Sequence, residues 1–204
     1  MAFLKQLKYT GFIFNSNTGI TVAGSVRIAE GERLTNSCVV YGPMGDLLAS
    51  YAKMHPFSPA GEQMVYSPGN ALSCFEVDGV RFGLAICYDL RFADLFHAYA
   101  RAGVHCVCVP AAWPCVRLHH WRLFLQTRAL ENQYYVAGTG TIGRSPVAEY
   151  CGGSAVFGPD GEERAAAGDA ERLLFAEIDP AEVTRTRTGF PVMEDRRDDL
   201  YSSL

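Results

Sequence analysis

Apolar residues in the first half of the chain fall into short runs that are separated by turn residues, a pattern typical of β-strands. A longer stretch contains the turn pair Asp78 and Gly79, and it predicts a hairpin around these two residues. The predicted single strands are residues 19–28, 36–43 and 46–54, and the hairpin covers residues 70–87.

In two later segments the apolar residues recur at helical spacing. Residues 90–102 predict one helix, and residues 118–133 predict a second helix. The side chains expected near one stripe of the second helix are Trp121, Leu125 and Leu130.

The two ends of the chain give different patterns. The first fifteen residues predict an amphipathic helix, because their apolar and charged residues separate onto two sides. The apolar side of this helix is expected to hold Phe3, Leu4 and Leu7. At the other end, residues 180–187 predict a short helix, and residues 188–204 have so little periodicity that we expect an extended tail.

The central strands are predicted to pair in parallel. Residues 104–113 form a continuous apolar run, as in a strand whose sheet is covered on both faces. A predicted helix lies on each side of this run, and the order strand–helix–strand favours right-handed crossovers and parallel pairing. The hairpins make the sheets mixed, so we expect an α/β fold with helices outside two stacked sheets. Further strands are predicted at residues 134–143, 152–159 and 172–179.

The composition suits one domain covering residues 1–204. The chain is 49% hydrophobic and 20% charged, which is enough apolar residue to build a core. A formal charge of −4 argues against a nucleic-acid partner. No apolar run reaches the roughly 18 residues that a membrane-spanning helix needs, so we expect no membrane partner. The first residues are too polar for a signal peptide.

The seven cysteines form an odd number and lack any Cys-x-x-Cys spacing. This pattern favours reduced thiols, as in the cytoplasm, over a disulfide framework or a zinc site. We therefore expect neither a metal nor another cofactor, and mitochondrial import stays open as an alternative location.

One cysteine, Cys87, stands between an apolar run and a predicted helix. A buried cysteine in a strand is usually a small apolar residue. At the mouth of a helix, in contrast, its thiolate is stabilised by the helix N-terminus. Lys53, at the end of a predicted strand, and Glu62 are candidate partners, whereas no histidine stands in a setting that marks it as a base. We keep only His55, close to Lys53, in reserve.

Six segments, in this order along the chain, resemble the carbon–nitrogen hydrolase (nitrilase) superfamily. They are "YAKMHPF", "GEQ", "ICYDLRF", "HHWRLFLQTRALENQ", "GGSAVFGPDGE" and "DRRDDLY". The resemblance runs from about residue 10 to the C-terminus and is greatest to the omega-amidase-like and deaminated-glutathione-amidase-like branches. It implies a four-layer α-β-β-α sandwich and a homodimer or higher homo-oligomer.

The resemblance also implies a set of site residues. Cys87 would be the nucleophile, Lys53 the cation that stabilises the oxyanion, and Glu62 a glutamate that orients the lysine and the substrate. The backbone N–H of Tyr88 would complete the oxyanion hole. The reaction implied is hydrolysis of a small carboxylated amide through a cysteine thioester.

The chain departs from the family pattern before Lys53. The general-base glutamate of the family lies well upstream of the lysine, but only 52 residues precede Lys53, and their glutamates, Glu30 and Glu32, fall in a predicted turn. The resemblance thus implies a fold that lacks the first strand, helix and strand, with an unpaired sheet edge. We expect either an inactive or impaired amidase, or a catalytically dead interaction or dimerisation module.

Two further positions have two interpretations each. Trp113 either packs on the substrate or plugs the end of the sheet. Arg117 either pairs with a substrate carboxylate, for which arginine is well suited, or is an exposed loop residue. Arg128 and Glu131 are expected to form a structural ion pair.

Overall fold

The computed structural model describes residues 2–6, 10–17 and 19–201, and these form two stacked six-stranded sheets. The first sheet is antiparallel, in the order β14-β1-β2-β3-β4-β5. Its strands are β1 (Ala2–Gln6), β2 (Thr10–Ser16), β3 (Gly19–Glu30), β4 (Arg33–Tyr41), β5 (Leu47–Ala52) and β14 (Arg172–Ala176).

The second sheet has the order β13-β12-β9-β8-β7-β6 and is mixed. Strands β7, β8 and β9 pair in parallel, as the strand–helix–strand order predicts, and the outer strands pair antiparallel. These strands are β6 (Cys74–Val77), β7 (Val80–Leu84), β8 (Cys106–Ala111), β9 (Tyr135–Gly140), β12 (Ala155–Phe157) and β13 (Glu163–Ala166). A separate hairpin consists of β10 (Ile142–Arg144) and β11 (Glu149–Cys151).

Helices cover one face of the second sheet. Every residue of β8 and β9 is buried, because the first sheet covers their other face. Gly138 lets a helix approach closely, since a Cβ there would lie 2.6 Å from side-chain atoms of Trp121 and Leu125. The helices are α1 (Ala93–Arg101), α2 (Leu118–Asn132), α3 (Pro180–Gly189) and α4 (Asp198–Tyr201).

The predicted helix over the first fifteen residues is wrong, because this segment forms β1 and β2 instead. In β2 the side chains of Phe12 and Phe14 are buried and that of Ile13 is partly exposed, which is the two-residue period of a strand. The Phe14 ring lies 4.7 Å from the Phe82 ring of the second sheet, so β2 helps to join the two sheets. Leu7 lies outside the described residues.

Three details of the helices differ from expectation. Helix α1 begins at Ala93, because residues 87–91 form a 3₁₀ turn and Phe92 is extended. On α2, Trp121 and Leu125 are buried as predicted, but the Leu130 side chain is exposed on the other side. The tail expected to be extended over residues 188–204 contains the end of α3 and the short α4, and residues 202–204 lie outside the described part.

The outer face of the first sheet carries exposed apolar side chains. Val22 pairs with Tyr41, and Tyr41 pairs with Leu47, so that these residues and Ile13 form one row across four strands. The side chains of Val22, Tyr41 and Leu47 are each about half exposed. We call Ile13, Val22, Tyr41 and Leu47 the outer apolar row.

Candidate active site

A cavity of about 950 Å³ lies where strands β5, β7 and β8 end. In open α/β sheets, ligands typically bind beyond the carboxyl ends of parallel strands, and β7 and β8 are parallel neighbours. Cys87, Lys53 and Glu62 all line this cavity, and so do Tyr88 and the segment 110–117 that ends and follows β8. The structure therefore brings the three predicted chemical groups to one place.

Cys87 occupies a strained turn between β7 and the helical layer. Its φ is +49°, in the left-handed region that residues other than glycine rarely adopt. Such a conformation costs about 1–3 kcal/mol and is typical of functional sites. The Sγ atom lies 3.8 Å from the carbonyl oxygen of Ala112. The expected stabilisation by the N-terminus of an α-helix does not apply, because Cys87 is the first residue of a five-residue 3₁₀ turn that precedes α1.

Lys53 and Glu62 form a buried ion pair on the cavity wall. Lys53 Nζ lies 2.5 Å from Glu62 Oε2, and the lysine side chain is only 4% exposed. The other oxygen, Oε1, accepts a hydrogen bond from Asn36 Nδ2 at 2.8 Å, and the Phe57 amide donates to Oε2. Both carboxylate oxygens of Glu62 are thus occupied.

These contacts decide the pKa of Glu62. Burial raises this pKa, but the hydrogen bonds from Lys53, Asn36 and the Phe57 amide outweigh burial. The pKa of Glu62 is therefore lowered, and the carboxylate is charged at neutral pH.

The thiol of Cys87 has the opposite shift. Burial is the largest influence and raises its pKa. The positive charge of Lys53 lowers the pKa, while the negative charges of Glu62 and Asp89 raise it further. The net result is a raised pKa, so the resting thiol is protonated at neutral pH, and a base must remove its proton before it can attack.

The three residues predicted to bind substrate all line the cavity. The Tyr88 ring packs edge-on against the Phe57 ring at 4.9 Å. Trp113 lines the cavity and packs 5.4 Å from the ring of Trp121, and its contact with a substrate stays a prediction. Its Nε1 donates to the backbone oxygen of Arg117, which fixes the loop that follows β8.

Sequence reasoning missed the role of Arg91 in the cavity wall. Its guanidinium lies 5.3 Å from the Trp113 ring and 5.1 Å from the Phe124 ring. Its position four residues after Cys87, within the segment "ICYDLRF", could have indicated this role. Asn36 was missed as well, and its position in an ordinary strand gives no signal.

One disulfide contradicts the prediction that all cysteines are reduced. Cys115 and Cys151 are bonded, while the other five cysteines are free thiols, as expected. The bond joins the turn after β8 to the hairpin β10–β11, where Pro114 and Tyr150 also form a bridge. These cysteines are 36 positions apart, so a search for local spacing could not find them. The cytoplasmic location, with mitochondria as the alternative, stays a prediction.

The remaining candidates lie elsewhere. Glu32, in the turn after β3, is not among the described residues that line the cavity. Glu30 is the last residue of that strand. The predicted ion pair of Arg128 and Glu131 is present, with 2.7 Å between its charged atoms. His55 lies behind the site and hydrogen-bonds to Asp89.

Two stacked sheets with a cysteine, a lysine and a glutamate in one cavity define an α/β sandwich with a candidate thiol site. The sequence model of the carbon–nitrogen hydrolase family matches residues 14–188, and the chain belongs to this family. The superfamily predicted from the sequence is thereby confirmed, and so is its α/β sandwich fold. In the described ranges, no helix is both long and apolar enough to cross a membrane.

Three similar proteins illustrate the relationship. The chain is 36% identical over 180 residues to the 2-oxoglutaramate amidase of Bacillus subtilis (strain 168), which covers 88% of this chain and 70% of that protein. It is 37% identical over 191 residues to omega-amidase NIT2 of Homo sapiens, covering 89% of this chain and 69% of that protein. The amidase from Nesterenkonia sp. AN1, solved as a glutamate-to-glutamine mutant, matches with a TM-score of 0.79 at 26% identity and covers 90% of this chain and 66% of that chain. That structure shows covalent addition of an acetamide moiety at its active-site cysteine.

Proposed function

We propose that the protein is an amidase-type hydrolase that cleaves a small carboxylated amide, with Cys87 as its nucleophile. The observation that carries the proposal is the placement of Cys87, Lys53 and Glu62 in one cavity. The similarity to amidases and omega-amidases supports it.

The chemistry follows from these three groups. The thiolate of Cys87 attacks the amide carbonyl carbon, and the charge that develops on the carbonyl oxygen is stabilised by the Lys53 ammonium and the Tyr88 N–H. The C–N bond breaks, the nitrogen takes a proton and leaves as ammonia, and the acyl group remains on sulfur as a thioester. Water then hydrolyses the thioester, which releases the carboxylic acid and returns the thiol.

Two guanidinium groups on the cavity wall support a substrate with a carboxylate. Arg117, the candidate named from the sequence, and Arg91 both line the cavity. Among the described ion pairs, neither has a carboxylate partner, so each can accept one from the substrate. Arginine binds carboxylates through two parallel hydrogen bonds, which would orient the amide end toward Cys87.

We further propose that turnover is impaired, because the raised thiol pKa demands a strong base close to Cys87. The carboxylates among the lining residues are those of Glu62 and Glu149. Glu62 is held by three donors, and Glu149 is exposed and paired with Arg144.

The test is ammonia release from glutaramate, with butyramide as a neutral amide of similar length. We expect slow release from glutaramate, less from butyramide, and none from the Cys87→Ser variant. Arg117→Met should raise the KM for glutaramate only. Cys74→Ser is the control, since this free thiol lies outside the cavity. Release that persists in Cys87→Ser would refute the proposal.

The alternative function, a nitrilase-like interaction module without turnover, is favoured by the outer apolar row. We propose that a second copy of the chain covers this row and forms a homodimer, because burial of apolar surface drives association. Sedimentation velocity should show a dimer that Tyr41→Lys converts to a monomer. Leu130→Lys, on the exposed side of α2, is the matched control and should leave the dimer intact. A dimer that survives Tyr41→Lys but not Leu130→Lys would place the interface on the helices and contradict this assignment.

A further inference from the structure

A buried carboxylate that the reaction does not use lies directly behind the site. Asp89 has no exposed surface and is not among the residues that line the cavity. Burying a carboxylate is unfavourable unless hydrogen bonds compensate it. Hydrogen-bond donors contact both oxygens of the Asp89 carboxylate. A buried carboxylate that is held in this way needs a functional explanation.

The donors come from two segments of chain. Oδ2 accepts hydrogen bonds from the Ile86 amide at 2.9 Å and from the Tyr51 hydroxyl at 2.8 Å. Oδ1 accepts from the His55 amide at 3.0 Å and contacts His55 Nδ1 at 2.8 Å. Ile86 immediately precedes Cys87, while Tyr51 and His55 lie two residues on either side of Lys53. One carboxylate thus ties the backbone of the cysteine turn to the backbone that carries the lysine.

The surroundings keep this arrangement rigid. The His55 ring stacks on Phe92 with 3.7 Å between the ring centroids and an interplanar angle of 9°, so the imidazole is held in one orientation. The Tyr51 side chain is fully buried in the core. The left-handed turn at Cys87 is unfavourable alone, and the Ile86 hydrogen bond to Asp89 helps to hold it.

We propose that Asp89 is a positioning residue that sets the separation between the Cys87 thiol and the Lys53 ammonium. The proposal rests on the amidase function above, where Lys53 must reach the oxygen of a carbonyl that Cys87 attacks. A misplacement of 1 Å between reacting groups costs about 10²-fold in rate. Asp89→Asn replaces one acceptor oxygen by an amide NH₂ group, which cannot accept the hydrogen bonds that this oxygen receives.

A chemical test of this separation is independent of turnover. An aromatic ortho-dialdehyde joins a thiol and a neighbouring amine into a fluorescent isoindole. The chain has only three lysines, Lys5, Lys8 and Lys53, so the signal from Lys53 and Cys87 is identified by its loss in Lys53→Met and Cys87→Ser. We expect the wild-type chain to form this isoindole rapidly and Asp89→Asn to form it about tenfold more slowly.

Kinetics on glutaramate give the second measurement. Asp89→Asn should lower kcat by about 10²-fold and leave KM within about twofold, because substrate binding uses the cavity wall instead. His55→Ala should lower both kcat and isoindole formation, and His55→Gln should restore much of each, since its side-chain amide can donate to Oδ1. Asp94→Asn, at an exposed site on α1, is the matched control and should behave like wild type.

The outcomes separate the two proposals. A folded Asp89→Asn chain with unchanged isoindole formation and kcat overturns the positioning role. If Asp89→Asn does not fold, folded Tyr51→Phe and His55→Ala chains with wild-type isoindole formation and kcat overturn it equally. A wild-type chain that gives no isoindole also overturns it, because the two groups are then not neighbours. A chain that gives the isoindole but releases no ammonia refutes the amidase function and leaves the positioning role standing on the isoindole result.

Discussion

Breaking the disulfide between Cys115 and Cys151 should lower the stability of the protein substantially. A cross-link stabilises a folded chain mainly because it restricts the unfolded chain, and the effect grows with the length of the closed loop. For a separation of 36 positions the loop-closure entropy corresponds to about 4 kcal/mol at 25 °C. Total unfolding free energies are about 5–15 kcal/mol, so this one bond is a large part of the stability.

The assay is thermal or urea unfolding with and without a reductant. For a chain of this size, a loss of about 4 kcal/mol corresponds to a fall in Tm of about 8–16 °C. Cys115→Ser, Cys151→Ser and the double variant should all show the same loss, since either substitution removes the same bond. The reductant should destabilise the wild-type chain and leave the three variants unchanged.

A matched control is Cys74→Ser, which removes a half-buried free thiol and should keep the sensitivity to reductant. If the wild-type Tm is the same with and without reductant, the bond does not form in solution and contributes nothing to stability. Additive losses in the double variant would show that the cysteines contribute through separate packing contacts and not through a shared bond.

The same bond should also affect substrate affinity. It anchors the hairpin β10–β11, whose residues Glu149 and Tyr150 lie on the cavity wall beside the loop of Trp113, where Pro114 bridges Tyr150. Reduction should therefore raise the KM for an amide more than it lowers kcat, because the wall moves while Lys53 and Cys87 are held after other strands, β5 and β7. An equal loss in both parameters would point to general unfolding.

Three further predictions test packing and charge. Gly138→Ala should destabilise the fold by about 1–3 kcal/mol in urea unfolding, because its Cβ meets helix α2 at 2.6 Å, whereas Gly168→Ala, whose Cβ meets no atom within 4 Å, should not. Glu62 has a lowered pKa when folded, so it stabilises the fold above its unfolded pKa and loses this contribution as the pH falls through its folded pKa. Urea midpoints of wild type and Glu62→Gln should therefore differ most near pH 7 and converge in acid. Lys53→Met should slow iodoacetamide labelling of Cys87 at pH 8, since the lysine charge lowers the thiol pKa, and faster labelling would contradict this electrostatic account.

The pattern of apolar residues predicted a strand well where every residue of that strand is buried to the same degree. The apolar run of residues 104–113 indicated a strand covered on both faces, and β8 is buried at every position. The pattern failed at the N-terminus, where alternation around Phe12 and Phe14 was masked by the lysines and apolar residues before it. The pattern failed at Leu130 because buried positions on a helix recur every 3.6 residues. Ala129, and not Leu130, is the residue that faces the sheet.

Only those site residues that stand in short recognisable segments could be predicted from the sequence. Cys87, Lys53 and Glu62 each stand in a recognisable motif, so their order along the chain indicated one cavity. Asn36 and the pairing of Cys115 with Cys151 depend on how distant strands and loops are juxtaposed, and nothing local in the sequence records that. The four hydrogen bonds of Asp89 are of this second kind, although the residue itself is part of a quoted motif.

The charges around the cavity locate the difficult step of the proposed reaction. At rest, burial raises the pKa of the Cys87 thiol, and Glu62, which lies 2.5 Å from the Lys53 ammonium, acts against the lysine charge, so Cys87 stays protonated. Once a thiolate attacks, negative charge moves from sulfur to the carbonyl oxygen, and the same ammonium is then a hydrogen-bond donor to that oxygen. The charges of the site thus stabilise the oxyanion better than they stabilise the thiolate. The enzyme and the inactive module therefore differ in a single event, the removal of one proton from Cys87.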